Sequence, residues 1–202
     1  MIFVTSDTHF FDKHMLGRTD FAKRPFFLVS MMNEALITNW NKVVKKTDTV
    51  YHLGDIAVHL VRPEKKAHQD IYEILTRLNG NLILIKGNHD NRALFKYLAK
   101  NNYEVNGKPK FSFADVGVLF KYDHRQYYLT HYPLMLGIAS RIINLHGHIH
   151  HSSINAKENI NVGVDSADLD HLPEKLAFGQ PLSLLQVEKI LQAKQADHLK
   201  RR

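Results

Sequence analysis

A chain of 202 residues, 44% of them hydrophobic, is long enough for one core and one domain, and it holds no apolar run near the roughly 18 residues of a membrane span. The absence of cysteine removes disulfides, thiolate nucleophiles and zinc fingers together, so any metal must be held by nitrogen and oxygen. A net charge of +7 favours an anionic partner such as a phosphate, a nucleotide or a nucleic acid, although part of that charge lies in the stretch 194–202.

The chain enters a strand at once, Ile2-Phe3-Val4-Thr5, without a signal-peptide pattern, and a cytoplasmic location is expected. Ser6-Asp7-Thr8-His9 turns off its end. Asp7 and His9 are two apart, so extended backbone would put a carboxylate and an imidazole on one face, half of a divalent-metal site. An Asx-bonded turn is the plain alternative. His14 and Arg24-Pro25-Phe26 fall in a loop without clear period. Met32, Leu36, Trp40 and Val43 then recur at near-helical spacing and predict a helix over 31–44.

Thr49-Val50-Tyr51-His52-Leu53 reads as a second strand, ended by Gly54-Asp55; His59, four residues on, either faces the same cleft or caps and solvates the surface. Pro63-Glu64 fits the first turn of a helix to about residue 78, with Ile71, Ile74, Leu75 and Leu78 on one side. Leu82-Ile83-Leu84-Ile85 is a buried parallel strand whose end, Gly87-Asn88-His89-Asp90, presents an amide, an imidazole and a carboxylate. A helix over 91–100 follows. From Tyr103 the short runs 111–113, 116–122 and 126–130 suggest a β-meander, closed by Thr130-His131-Tyr132-Pro133. Ile142-Ile143-Asn144-Leu145 delivers His146-Gly147-His148-Ile149-His150-His151. Strands over 159–164, followed by Asp165, and 180–185 complete the pattern, and a frayed basic helix or tail is expected from about residue 190. Without repeat, linker or low-complexity segment, residues 1–202 read as one domain.

Asp7/His9, Asp55, Asn88/His89, His131 and His148/His150 therefore all sit at strand ends, where open α/β sheets place their ligands. So many oxygen and nitrogen donors exceed what one ion takes and suit two ions about 3.5–4 Å apart sharing a carboxylate, an arrangement suited to in-line phosphoryl displacement. Imidazole and carboxylate donors without thiolate suit manganese, iron, zinc or nickel, and the donors do not choose among them; manganese is the expected metal.

The ordered set Asp7-x-His9, Gly54-Asp55, Gly87-Asn88-His89-Asp90, His131 and Gly147-His148-x-His150 resembles the calcineurin-like metallophosphoesterase family, over roughly residues 1–151. The segment from Thr5 to His14, with Arg24-Pro25-Phe26, Met32-Asn33-Glu34 and Trp40-Asn41, is similar to its small bacterial and phage subgroup. The resemblance implies a four-layer α/β/β/α sandwich. It also implies one ion on Asp7, His9 and His150, a second on Asn88, His131 and His148, and Asp55 bridging the two. His89 would be no ligand but would face the substrate, stabilising the phosphorane or protonating the leaving oxygen after attack by a metal-bridging hydroxide. Asp90 would either partner this turn or cap the next helix.

Arg24 and His14 are candidates for gripping phosphate, with a surface arginine beside a loop proline the alternative for Arg24. His59, Asn33 and Asp165 are read as structural, and His151 as a solvated neighbour. The expected activity is hydrolysis of a nucleotidic or small phosphodiester. A nuclease or phosphomonoesterase of the same fold, or a scaffold that has lost turnover, are the alternatives. The substrate is thus a phosphate ester, nucleic acid is a permitted partner, and the oligomeric state is not encoded in any of these motifs.

Overall fold

The computed structural model describes residues 1–18, 21–137 and 141–200. Two mixed sheets pack face to face. The first contains β1 (Ile2–Thr5), β2 (Thr49–His52), β3 (Asn81–Ile85) and β4 (Phe111–Ala114), all parallel, with β9 (Leu182–Ser183) antiparallel on the β1 edge. The second contains β5 (Gly117–Tyr122), β6 (Arg125–Thr130), β7 (Ile142–His146) and β8 (Asn159–Asn161). Here β6, β7 and β8 run parallel, and β5 pairs antiparallel with β6 across a hairpin.

Alternation along the first sheet builds two cores. Phe3, Val50, Leu82 and Leu84 face the helices α1 (Val29–Val43), α2 (Glu64–Arg77) and α3 (Arg92–Lys100), while Val4 and Ile85 face the second sheet. α1 buries Met32, Leu36 and Trp40 as its spacing predicts, with Ile37 added and Val43 only partly buried, and the Trp40 indole N–H donates to the Asn79 carbonyl. The α/β class and the two apposed sheets agree with the expected architecture.

Three details differ from the sequence reading, which leaves a fourth open. The meander is split: Phe111–Ala114 joins the first sheet beside β3, and only β5 and β6 form a hairpin in the second. Of its two expected roles Asp90 takes the turn and not the helix cap. The Asn91 side chain accepts from Leu94 N at 2.7 Å as the α3 cap, and Asp90 instead accepts from the backbone of Asp55, Ile56 and Gly87. The last strand is two residues long, because Leu184 and Leu185 already belong to α4 (Leu184–Lys200). Nor does the basic stretch fray from 190 within the described residues. Ile190, Leu191 and Lys194 are buried as α4 touches β1, β9 and β8, and residues 201–202 lie outside the described residues. No helix is long and apolar enough to cross a membrane among the described residues.

Candidate metal centre

The carboxyl ends of β1, β2 and β3 and those of β6, β7 and β8 open on the same edge of the two apposed sheets. A backbone bridge between Ser6 and Gly163 ties them there, and the segments after β1 and β2 continue side by side through Phe10 and Ala57. Asp7 and His9 do share a cleft, though not by strand alternation. Both lie in the left-handed region (φ 57° and 47°), as do Asp55, His148 and His150 (55°, 71° and 48°). Five non-glycine side chains in this sparsely populated region, gathered at one site, mark a backbone held by its surroundings to aim donors inward.

Glycines make the approach possible. A Cβ at Gly147 would sit 2.0 Å from Ser6 Oγ and 2.2 Å from Asp7 Oδ2, and one at Gly87 would sit 2.2 Å from Asp55 Oδ1. In their absence the His148 N–H donates to both Asp7 oxygens at 3.0 and 3.1 Å, and the His89 N–H donates to Asp55 Oδ1 at 2.8 Å.

Two triads result. Asp7, His9 and His150 bring donor atoms within 4.8 Å of one another, and so do Asp55, His131 and His148. Asp55 Oδ2 lies between them, 3.5 Å from His9 Nε2 and 3.4 Å from His131 Nε2. Asn88 Oδ1 joins the second triad at 2.8 Å from both His131 Nε2 and His148 Nδ1.

The imidazoles are oriented from behind. His131 donates through Nδ1 to the Leu53 carbonyl at 2.9 Å, which turns the Nε2 lone pair toward the cleft. His9 Nδ1 meets Asp12 at 3.1 Å, and His150 Nδ1 meets Asp165 at 3.2 Å. His9 Nε2 is buried without a hydrogen-bond partner, and Asn88 Oδ1 faces the acceptor side of His131. Lone pairs converging in one cleft are what a divalent cation satisfies, so the donor set fits two such ions.

Charge in the pocket points the same way. Burial raises the Asp7 carboxyl despite the nearby histidines, the response of an anion short of positive charge. Burial would also raise Asp55, but the His131 and His9 imidazoles and the His89 amide hold it well below the usual carboxylate range. For His9 burial works downward, and the Asp12 and Asp55 carboxylates outweigh it, raising the imidazole to about 9.

His89 stands outside both triads on the exposed rim, its ring 5.3 Å from that of His9. Arg24 does not reach the cleft as a phosphate grip. It is fully buried, with Nε on Asp165 at 2.8 Å, NH1 on the Thr8 carbonyl and NH2 on the Asp7 carbonyl, so it braces the left-handed turn from below. His14 is exposed beside Lys13, and the contact it makes is a backbone one, its N–H donating to Asp12 Oδ1. Asn33 holds the Phe11 amide through Oδ1, His59 meets Asp70 and stacks on Phe11, and His151 is half-buried, with a buried Nδ1 that has no hydrogen-bond partner. Asp165 is structural as expected, holding Arg24 and His150, whereas Asp12 behind His9 has no counterpart in the sequence reading. Asp12 follows His9 by three residues, a spacing legible in the sequence once the turn after β1 is known.

A family model of calcineurin-like phosphoesterases matches residues 1–194, and the chain belongs to that family. The fold, the paired donor groups and this membership together define a metal-dependent phosphoesterase. The chain is 32% identical over 154 residues to an uncharacterized protein of Methanocaldococcus jannaschii, a match covering 71% of this chain and 83% of that one. It also shares its fold with the crystal structure of a protein of unknown function from Aquifex aeolicus, at a TM-score of 0.61 and 23% identity over 94% of this chain and 98% of that one.

Proposed function

We propose that the protein hydrolyses phosphodiesters, nucleotidic or small, at a pair of divalent cations, manganese foremost. Asp7, His9 and His150 hold one ion, Asn88, His131 and His148 the other, and Asp55 bridges them. The observation that carries this reading is the position of Asp55 Oδ2, about equally far from His9 Nε2 and His131 Nε2 while Oδ1 is occupied by the His89 amide.

When bound, the two cations supply neutralisation of charge on the phosphoryl oxygens and a water acidic enough to react near neutral pH. The chain does the rest. Asp12, Asp165 and the Leu53 carbonyl fix the tautomers and ring planes of His9, His150 and His131. His89 is free of those duties and delivers a proton to the departing ester oxygen, a role worth about 10²–10⁴-fold in rate.

Preference for a diester is supported by access on both flanks. A cavity lies beside His89, and on the other side Tyr132, 51% exposed, places its ring 4.6 Å from that of His148. Two organic arms fit such a cleft better than one. The test is hydrolysis of bis-p-nitrophenyl phosphate, p-nitrophenyl phosphate, cyclic nucleotides and single-stranded DNA by manganese-loaded protein. A diester rate at least about tenfold above the monoester rate, or about 1.4 kcal/mol in barrier, is expected. Comparable rates overturn the diester preference, and a fully loaded protein inert toward all four is a scaffold instead.

A further inference from the structure

A cavity of about 240 Å³ opens beside His89, between the loop after β2 and the facing sides of α2 and α3. Its floor is apolar: Ala57, Ala67, Ile71 and Leu94 are all at most 5% exposed. Leu60, 83% exposed, stands at its mouth. One buried polar group in the wall is unspent. His68 is 8% exposed, and its Nε2 is buried with no hydrogen-bond partner; the nearest carboxylate oxygen, of Glu64, is 3.6 Å away, beyond hydrogen-bond reach. A buried polar atom left unpaired costs about 1–3 kcal/mol, so a partner supplied from the cavity would recover it.

We propose that this cavity receives the leaving arm of the substrate, a single planar ring system with a polar edge, the ring resting on the apolar floor and its edge meeting His68 Nε2. The inference rests on the phosphoesterase reading and deepens it. His89 is the link, because it borders the cavity and also stands 5.3 Å from the His9 ring at the cation pair. An arm in the cavity therefore leads its ester oxygen past the one imidazole free to protonate it. Size sets the class. Sites for drug-sized ligands run to about 300–1,000 Å³, so this cavity suits an aryl group or one nucleobase and not a stretch of polynucleotide. An apolar floor with a buried imidazole in its wall favours a ring, and His59, Arg62, Glu64 and Asn91 line the rest of the cavity, where they can meet polar substituents on that ring.

Two phosphonates that cannot be hydrolysed separate the parts of the claim, measured as competitive inhibitors of zinc-loaded protein. Phenylphosphonate carries the ring and methylphosphonate carries the same anion without it. Phenylphosphonate is expected to bind at least about tenfold more tightly. Leu60→Ser, an exposed position that cannot disturb folding, and Ala67→Phe, which fills the floor, should each shrink that ratio severalfold by moving the phenylphosphonate constant. In proton–nitrogen NMR spectra the His68 ring resonances should shift with phenylphosphonate and stay still with methylphosphonate. Equal constants for the two phosphonates, a ratio untouched by both variants, or a silent His68 would overturn the cavity assignment while leaving the phosphoesterase reading intact. Failure of both phosphonates to inhibit would remove that reading, and the cavity assignment with it.

Discussion

Lys194 Nζ, on α4, lies 2.8 Å from Asp168 Oδ2 in a pocket where neither side chain is more than 7% exposed. The ammonium also donates to the Asn159 carbonyl at 2.7 Å, and Asp168 accepts the Asn161 N–H at 2.8 Å. The Asn161 side chain in turn holds the carbonyls of His150 and Ser152. A helix remote in sequence is thereby connected to His150 of the candidate metal centre. Lys194→Met should cost about 3–5 kcal/mol in urea unfolding, because it strands a buried carboxylate. It should also lower the affinity for the ion at Asp7, His9 and His150. A loss under 1 kcal/mol would mean that the pair is solvated in solution.

Gly147→Ala tests the close approach of β7 to β1. Its methyl group would meet Ser6 Oγ, Ser6 Cβ and Asp7 Oδ2 at 2.0, 2.7 and 2.2 Å, and neither the strand end nor the carboxylate has room to withdraw. Metal content measured by plasma emission should fall to near zero, with a destabilisation of about 1–3 kcal/mol or more. Gly107→Ala is the control. Nothing lies within 4 Å of that position, so only its φ of +71° carries a penalty, about 1 kcal/mol, with metal content unchanged.

The seven residues proposed as metal donors were legible because each follows a short apolar run that reads as a strand, and a glycine immediately precedes three of them, Asp55, Asn88 and His148. Left-handed backbone at Asp7 and His9 was not legible, since no local signal distinguishes it from an ordinary strand end; Arg24 and Asp165 impose it from 17 and 158 residues away along the chain. The meander reading failed at Phe111–Ala114 for a related reason: strand propensity does not say which sheet a strand joins, and Leu82, Ile83, Leu84 and Ile85 supply the partner. For α4 the signal was present. Ser183 and Gln186 form a reciprocal cap, the Ser183 N–H donating to Gln186 Oε1 at 2.9 Å and the Gln186 N–H to Ser183 Oγ at 3.3 Å. Basic charge at the terminus masked a stripe of Leu184, Val187, Ile190 and Leu191.

Arg24 and Asp165 form a second buried pair, and their variants should separate support from substrate contact. Arg24→Met leaves Asp165 uncompensated and frees the Asp7 and Thr8 carbonyls, so a drop of about 3–5 kcal/mol in stability is expected. Asp165→Asn keeps the shape but removes the anion behind His150. Manganese titration by calorimetry should then show a 10–100-fold weaker first site, about the usual cost of losing such a partner. A variant of Arg24 that raised KM while leaving both stability and metal binding intact would restore it as a phosphate grip.

His89 and Asp55 should fail in opposite ways. His89→Ala should retain both ions and lose about 10²–10⁴-fold in kcat, with the deficit largest for esters whose leaving group is a poor one. Asp55→Ala should empty both positions, since it removes the oxygen shared between His9 and His131. Metal loss from His89→Ala would identify His89 as a ligand and displace it as the acid.

Lys110 gives a pH signature far from the cations. Its ammonium is buried against the Leu78 and Gly80 carbonyls at 2.5 and 2.6 Å, and burial lowers it from 10.5 to about 8. Above pH 10.5 neither folded nor unfolded chain carries this proton, so Lys110 has no effect on stability there. Between 10.5 and 8 the unfolded chain binds a proton that the folded chain does not, and stability must fall as the pH falls. Below 8 the full penalty stands, at most about 3 kcal/mol. Unfolding free energies of the wild type minus those of Lys110→Met, taken by urea at pH 7.5, 9 and 10.5, cancel the other titrating groups. That difference should rise with pH across the window; a flat profile would show that the two carbonyls hold the ammonium as well as water does.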